Sequence, residues 1–434
     1  ASVVNITEVV KYTKTLPGVV YVEDQMFACA TDSGVKIQKA IKEHGLNRMI
    51  IAACTPRTHE PLFQDTLKEV GLNPYLMDMA NIRNQCSWVH MNQPELATEK
   101  AKNIIQLSVI KAKHLIACQP GTVQIKKEAL IVGGGISGMT AALELADQDF
   151  PVHLLERTTE LGGNLKELHY LPKDAADPQA KLIEIIEKVT SHKNIKVYTG
   201  ADIKEFKGSA GEFRVTFEAG GKTHNVEHGA VIVATGGAQY TPTEFLYGQN
   251  DKVITQREME EKLAEDKLEA KSVVMIQCVG SRDEEHPYCS RICCVQAIKN
   301  ALKIKEQNPE TSVFVLYRDI RAYSLNESEY TRARENGVRF LRFEDEEKPK
   351  VSAEGDSIKV SLRDPILDAK LNIKTDLLVL SAGIVPNEGN DELSKKLKLP
   401  LTEDKFFLEA HIKLRPVDFA TDGIFLCGLA HSPK

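Results

Sequence analysis

Cysteine is the residue type with most to say about chemistry here. Of the nine cysteines, four fall in one stretch: Cys278 follows the apolar run Ser272 to Gln277, and Cys289, Cys293 and Cys294 lie in Pro287-Tyr288-Cys289-Ser290-Arg291-Ile292-Cys293-Cys294. The pattern predicts a strand ending at Cys278 and a helix running from about Ser290 to Lys305. Four thiolates can then reach one point and hold a [4Fe-4S] cluster, because soft iron prefers sulfur ligands. Zinc is the competing metal, although the adjacent pair Cys293-Cys294 sits awkwardly in the spacing of structural zinc sites. The bland alternative is four thiols packed as small hydrophobes.

Cys29, Cys54 and Cys86 form a second, incomplete set at expected loop or strand-end positions. Disulfides are an unpromising use for any of these, since the total is odd and no secretory signal precedes them; the expected compartment is the cytoplasm.

The other chemical landmark is a glycine loop. An apolar run, Glu128 to Val132, leads into Gly133-Gly134-Gly135-Ile136-Ser137-Gly138 and then into a helical pattern reaching Asp147. The first glycine of Gly133, Gly135 and Gly138 permits a tight turn, the second lets the backbone approach a pyrophosphate, and the third lets helix and strand pack closely. Phosphate oxygens would sit at the helix N-terminus, beside Ile136 and Ser137, where free N–H groups and the helix dipole favour negative charge. A second strand, Val152 to Leu155, ends at Glu156, whose carboxylate can accept from ribose hydroxyls, with Arg157 beside it.

Single residues are less decisive. Lys299, five residues beyond Cys294, is read either as a cation facing a flavin or as part of a solvated helix face with Lys303 and Lys305. His59 and His90 invite a metal or proton-transfer role but read more readily as structural and stay unassigned, and Arg318, Asp319 and Arg321 read either as contacts to a partner or cofactor or, more simply, as a solvated turn.

These groups need elements to position them. Residues 1–124 alternate helical stretches such as Gly34 to His44 with short strands such as Met49 to Ala53, and end in a helix expected over Pro94 to Ile116; they read as a small α/β domain. Residues 125–251 open a dinucleotide-binding domain. Residues 252–349 hold a further strand-helix-strand unit ending at Ser312 to Tyr317, and 350–434 return to the first domain through strands at Asp376 to Leu380 and Gly423 to Cys427. No internal repeat is visible in the sequence.

Composition narrows the class. The chain has 434 residues, 42% hydrophobic and 27% charged, with a net charge of -6 spread along its length. That balance fits several globular domains and gives no electrostatic footprint for nucleic acid or an anionic membrane, and no apolar run is long enough for a membrane span. The opening at Ala1 without methionine and the close at Lys434 suggest an excerpt of a longer polypeptide.

Further landmarks carry a resemblance. Leu161-Gly162-Gly163-Asn164, Val231-Ile232-Val233-Ala234-Thr235-Gly236-Gly237 and Gly423-Ile424-Phe425-Leu426-Cys427-Gly428 resemble, in order, the flavin-binding segments of the two-dinucleotide-domain flavoproteins typified by thioredoxin reductase. The resemblance spans most of residues 128–434 and implies an α/β fold of that type with bound FAD. It brings Gly163, Asn164, Ala234, Thr235, Gly236 and Gly428 into the candidate site. One departure is clear: the second strand-helix-strand unit has no glycine fingerprint, and cysteines stand in its place.

The N-terminal runs Phe27-Ala28-Cys29, Ala53-Cys54-Thr55-Pro56-Arg57-Thr58-His59-Glu60 and Asn81-Ile82-Arg83-Asn84-Gln85-Cys86-Ser87-Trp88-Val89-His90 extend the match. With the Pro-Tyr-Cys and Cys-Cys segment they resemble the A-type, iron-sulfur subunit of the heterodisulfide reductase family over essentially the whole chain. That resemblance implies FAD, several [4Fe-4S] clusters and electron bifurcation or confurcation between a low-potential carrier such as ferredoxin and a disulfide or other acceptor. It also implies partners: B- and C-type subunits and a hydrogenase- or dehydrogenase-linked input subunit, in a heteromeric and dimerised complex.

A Cys-x-Cys-Gly segment usual upstream in the family would supply the fourth ligand for Cys29, Cys54 and Cys86, in a small N-terminal iron-sulfur domain; Cys118 is a weaker substitute. The ferredoxin-like insertion of the methanogen type between Asn164 and Val231 has no counterpart in this sequence, and the ferredoxin modules that many members carry after the flavin domain would lie beyond Lys434 if the chain is an excerpt. Two rivals stay open: an NAD(P)H-dependent disulfide reductase, which needs a redox-active Cys-x-x-Cys pair and a second nucleotide fingerprint, and an electron-transfer or scaffold subunit without bifurcation.

Overall fold

A computed structural model describes residues 3–119, 121–122, 124–171, 177–366 and 368–433. Ala1 and Lys434, the ends singled out in the sequence, lie outside the described residues. The chain divides into two units, one of residues 1–123 with 411–415 and one of 124–410 with 416–434.

The smaller unit is built on two parallel strands, Met49–Ala53 and Met77–Asn81, paired from Met49 opposite Met77 to Ala53 opposite Asn81. Helices Thr31–His44 and Pro56–Lys68 pack on one core with Ile41, Ile51, Phe63, Leu67, Met77 and Met79. Helices Ile6–Thr13 and Pro94–Lys113 close a second around Val9, Ala80, Ala97, Ala101 and Ile105. Two helix starts are set locally: Thr55 Oγ1 accepts from Arg57 N at 3.3 Å, and Pro56 and Pro94 occupy first-turn positions where a missing N–H costs nothing. The long helix stops at Lys113, short of the expected Ile116.

The larger unit contains the same architecture twice. Its first parallel sheet has the order Ile424–Leu426, Ala230–Val233, Ala129–Val132, Val152–Leu155, Ile195–Tyr198; its second has Val253–Thr255, Leu377–Ala382, Ser272–Val279, Ser312–Tyr317, Arg339–Arg342. In each, the strand that opens the strand-helix-strand unit lies at the centre, and a three-stranded antiparallel sheet is inserted before the strand that returns to its other side: residues 202–228 in one half, 350–375 in the other. Ala129–Val132 and Leu377–Ala382 are buried along their whole length, as sheets covered on both faces require. The halves share an apolar pattern without sharing residue identity, which hides the repetition from the sequence.

That topology moves one boundary. Lys350–Glu354, Ser357–Asp364 and Ala369–Thr375 form the second half's own antiparallel sheet, and Leu377–Ala382 pairs with Ser272–Val279 and Val253–Thr255. The chain therefore returns to the first half after residue 382 rather than at 350. Helix Cys293–Gln307 likewise starts later than expected, because Arg291 is left-handed (φ +63°) and Ser290 is held by Ser281 and Ile384.

His228, at the end of the first antiparallel sheet, is fully buried between Phe206 and Phe213. Burial first, and the His153 charge second, push its pKa from 6.5 down to about 4. The unfolded chain therefore takes up a proton as pH falls through about 6.5 and the folded one does not until about 4, so stability drops across that window and the loss levels off below it. The loss is expected to reach about 3 kcal/mol. Urea midpoints at neutral pH and near pH 4.5 should differ less in His228→Leu than in the wild type; equal pH slopes would exclude His228 as the source.

Candidate functional site

The glycine loop leaves the central strand Ala129–Val132 and enters the helix Ile136–Ala146 through Gly135. Gly133 is left-handed (φ +117°), and a Cβ there would stand 2.3 Å from Ala234 O; a Cβ on Gly138 would stand 1.9 Å from Gly133 O. No side chain fits either place, so strand and helix approach as the fingerprint requires. Gly134, which the sequence did not place in the site, is close-packed too, but against side chains: its Cβ would lie 2.4 Å from Leu161 Cδ2. Only its place in a run of three glycines hinted at this.

Glu156 is tied into the loop. Its Oε2 accepts from Gly134 N at 2.6 Å, and its Oε1 accepts from Thr158 N at 2.8 Å and Thr158 Oγ1 at 2.9 Å. A carboxylate has about four acceptor positions, so one remains for a ligand hydroxyl. Arg157 donates from Nη1 to Glu388 O at 2.8 Å. Asn164 donates from Nδ2 to Gly237 O at 2.8 Å and accepts from Arg257 Nη2 at 3.1 Å, which makes it a brace between segments. Gly163 and Gly236 are left-handed, Ala234 is buried, and Ile136 is partly exposed at the helix start. Ser137 Oγ occupies the space beside Gly428, 2.5 Å from where a Cβ would be.

Two observations fit FAD to this crevice. The loop presents bare backbone at a helix N-terminus, as a pyrophosphate needs. Thr235 Oγ1, at the end of Ala230–Val233, is buried with no hydrogen-bond partner among the described residues, an arrangement a polar ligand would relieve. Asn387, whose Nδ2 donates to Thr235 O, was not expected from sequence; it comes from a distant segment with no motif of its own.

The second half puts cysteines at the corresponding place. Cys278 lies near the end of the central strand, where the pairing register shifts between Ile276 and Val279, and Cys293 opens the following helix. Cys278, Cys289, Cys293 and Cys294 line one pocket, together with Ser281 and Ser290. Arg282, Arg291, Asp319 and Arg321 complete its wall, so the turn after Tyr317 is part of the pocket and not merely solvated.

Cys293 Sγ lies 3.7 Å from Ala382 O, Cys294 Sγ 3.9 Å from Asp319 O, and Arg291 N donates to Cys289 Sγ at 3.3 Å. Burial raises the Cys278 and Cys293 thiols and pushes Cys294 up to about 11. Protonated, buried thiols are poor nucleophiles, which counts against a redox-active dithiol. Among the described residues no three His, Cys, Asp or Glu side chains are grouped closely enough to hold one metal ion. A [4Fe-4S] cluster makes a different demand, since each thiolate binds a different iron and the sulfurs stand apart; four thiols around one pocket suit that donor set.

A short strand pair joins the two sites. Gly237–Gln239 runs antiparallel to Ile384–Pro386. At one end lie the contacts of Gly237 with Asn164 and of Asn387 with Thr235; at the other, Ile384 N donates to Ser290 Oγ at 2.8 Å and Tyr288 OH donates to Ile384 O at 3.1 Å. Three residues of strand span roughly 10 Å.

Lys299 is placed otherwise than expected. It is neither on a solvated face nor free to face a ligand: it is 8% exposed, its Nζ lies 2.6 Å from Glu260 Oε2, and it donates to Tyr170 O at 2.9 Å. Leu302 and Ala301 on the same helix are apolar and buried, so the helix turns this side inward and a partner carboxylate is required. Burial pulls the Lys299 pKa down, and Glu260 offsets part of that.

In the smaller unit Cys29 and Cys54 are near enough that a charge on Cys29 raises the Cys54 thiol, after the larger effect of burial. Cys29 is exposed and Cys54 half-buried, but Cys86 is fully buried in the apolar core, where its thiol donates to Ala97 O at 2.9 Å. Cys118 is exposed. His90 meets Gln93 and Lys100, as a structural histidine would.

The Lys299–Glu260 pair makes a test of its own. Glu260 is completely buried and its Oε1 also accepts from His169 N at 2.8 Å, so Lys299→Met strands a charge. The expected cost is about 3–5 kcal/mol, most of it recovered in the double variant Lys299→Met/Glu260→Gln. Urea denaturation of the three proteins checks this; a single variant as stable as the wild type would mean the pair is not ionised.

With this geometry in view, known proteins are informative. Residues 127–276 match the pyridine nucleotide-disulphide oxidoreductase family. The chain is 34% identical to the A-type subunit of the H2:CoB-CoM heterodisulfide,ferredoxin reductase of Methanothermobacter thermautotrophicus, with 100% of this chain and 80% of that one covered. It is also 34% identical, with the same coverage, to an A-type iron-sulfur subunit of the CoB–CoM heterodisulfide reductase of Methanopyrus kandleri. Both alignments run over 529 positions, longer than this chain, so those relatives carry segments with no counterpart here. Among solved structures, the T. acidophilum thioredoxin reductase is similar at a TM-score of 0.48 and 16% identity, with 71% of this chain and 91% of that one covered. A match at the identity of the two heterodisulfide reductase relatives, along the whole length, means that the chain belongs to the family of A-type heterodisulfide reductase subunits and is an FAD-dependent oxidoreductase.

Proposed function

We propose that this chain is the FAD- and iron-sulfur-carrying electron-transfer subunit of a soluble heterodisulfide reductase-like complex. The single observation that carries the reading is the pocket lined by Cys278, Cys289, Cys293 and Cys294, standing where the other half of the fold has its glycine loop. Gly133, Gly135, Ile136, Ser137, Gly138, Glu156, Arg157, Gly163, Asn164, Ala234, Thr235, Gly236 and Gly428 would hold FAD, and the four cysteines a [4Fe-4S] cluster. FAD, when bound, supplies the conversion between two-electron and one-electron chemistry. The residues themselves bind and orient: the glycine loop offers backbone N–H groups, Asn164 and Arg257 brace the crevice, and buried Ala234 and Leu161 exclude water.

The electron partners in this reading are a low-potential carrier such as ferredoxin and a disulfide or other acceptor, with bifurcation or confurcation between them. Support comes from the relatives' printed names, which join ferredoxin to the CoB-CoM heterodisulfide. B- and C-type subunits and a hydrogenase- or dehydrogenase-linked input subunit complete the complex, which is expected to dimerise in the cytoplasm. No described helix is long and apolar enough to cross a membrane. A nicotinamide-dependent reductase fits less well, because the second half has no glycine cradle and Cys293 and Cys294 are buried. A second cluster at Cys29, Cys54 and Cys86 in the smaller unit would need a fourth ligand and the release of buried Cys86 from its bond to Ala97 O.

Anaerobic quantitation of iron, sulfide and flavin with low-temperature EPR tests this. The wild type should carry about one FAD and one cluster at this pocket, and Cys293→Ser should lose the cluster signal while keeping the flavin absorbance. Zinc in place of iron, or metal content indifferent to Cys293, would sink the proposal. Gly138→Ala, which drives a Cβ onto Gly133 O, should weaken FAD retention by at least about tenfold, or 1.4 kcal/mol, in a flavin-release titration.

A further inference from the structure

The turn after strand Ser312–Tyr317 forms one wall of the cysteine pocket through Asp319 and Arg321. The Asp319 carboxylate pairs with two cations at once: Arg282 Nη1 contacts its Oδ1, and Arg321 Nη2 lies 3.3 Å from its Oδ2. Arg318, next in the chain, goes elsewhere, to Asp345 and to Arg282 O at 2.7 Å. Asp319 O in turn faces Cys294 Sγ at 3.9 Å. The pocket wall thus carries more arginine than carboxylate, beside four thiols.

Backbone conformation points the same way. Cys278, Arg282 and Arg291 are all left-handed, at φ +62°, +60° and +63°. Left-handed backbone strains a residue that carries a Cβ, and strain of this kind gathers at ligand clamps. Here it falls on a thiol and two guanidinium-bearing residues that line one small volume.

We propose that Arg282 and Arg321, oriented by Asp319, contact the iron-sulfur group of this pocket and set its reduction potential. The inference rests on the reading that the pocket holds such a cluster. One-electron reduction adds a negative charge to a group already bearing four thiolates. Guanidinium donors beside the sulfurs stabilise the reduced form and raise the potential, whereas the Asp319 carboxylate, a positioning residue, opposes it.

The sign of the effect distinguishes this from a structural role. In holoprotein titrated with dithionite and followed by EPR, Arg321→Met should shift the cluster midpoint down, leaving several-fold less reduced cluster at the wild-type midpoint. Arg321→Lys should shift it down by less, since it keeps charge and loses the planar fork. Asp319→Asn should shift it up. Iron and FAD contents serve as the check that each variant is loaded. Midpoints that stay put, or move in the same direction in Arg321→Lys and Asp319→Asn with iron content intact, overturn the inference alone. A wild type without iron overturns both the inference and the functional reading beneath it.

Discussion

Two parallel sheets each deliver a central strand, a loop and a helix N-terminus to one point, and the chemistry of this protein depends on that geometry. A strand buried on both faces can carry no reactive group along its length, so function is forced to its carboxyl end, where the loop turns back. The first half spends that position on backbone: Gly133 and Gly138 leave no room for side chains. The second spends it on thiols and arginines, in a loop whose strained residues replace the glycines of a phosphate cradle. One architecture therefore presents N–H groups in one copy and sulfur in the other.

Much of the fold was legible because it rests on local signals. The central strands are uninterrupted apolar runs, the helix starts carry Pro or a capping Thr, and the glycine spacing has a steric meaning that survives without any alignment. The repetition of the halves was not legible, since it lies in topology: Leu377–Ala382 is as apolar as any returning strand, and only its pairing with Ser272–Val279 assigns it to the second half. The site divides in the same manner. The cysteines and the glycine loop could be read from residue type and spacing. Asn387 and Glu388 could not, because each reaches its place through contacts between distant segments, and Asp319 and Arg321 were legible only as charged residues after a strand.

Lys299 shows why a charged residue on a helix resists such reading. Lys303 and Lys305 follow it on the same helix, and sequence alone cannot tell a face turned to water from one turned to a buried carboxylate. What settles its surroundings is Glu260, from another helix, together with the main chain of residues 169–170. Around it extends a buried polar chain: Tyr170 OH donates to Asn300, Asn300 to Gln256, and Gln256 and Gln277 both to Ser381. Networks of this type are costly when incomplete and rigidifying when satisfied. This one fastens a segment of the first half to the helices of the second, ending one residue short of Cys278.

The pair of strands Gly237–Gln239 and Ile384–Pro386 has a mechanical consequence. Hydrogen bonds across a two-stranded ribbon resist sliding and stretching, so of the possible relative displacements of what it joins, rotation about a line through the ribbon disturbs those bonds least. Points on a rotation axis do not travel. Asn164 and Thr235 meet one end of this ribbon, Tyr288 and Ser290 the other. Any angular play between the halves would swing their outer edges widely while leaving the spacing from crevice to pocket almost constant, as the pivot of a pair of scissors keeps its place when the blades open.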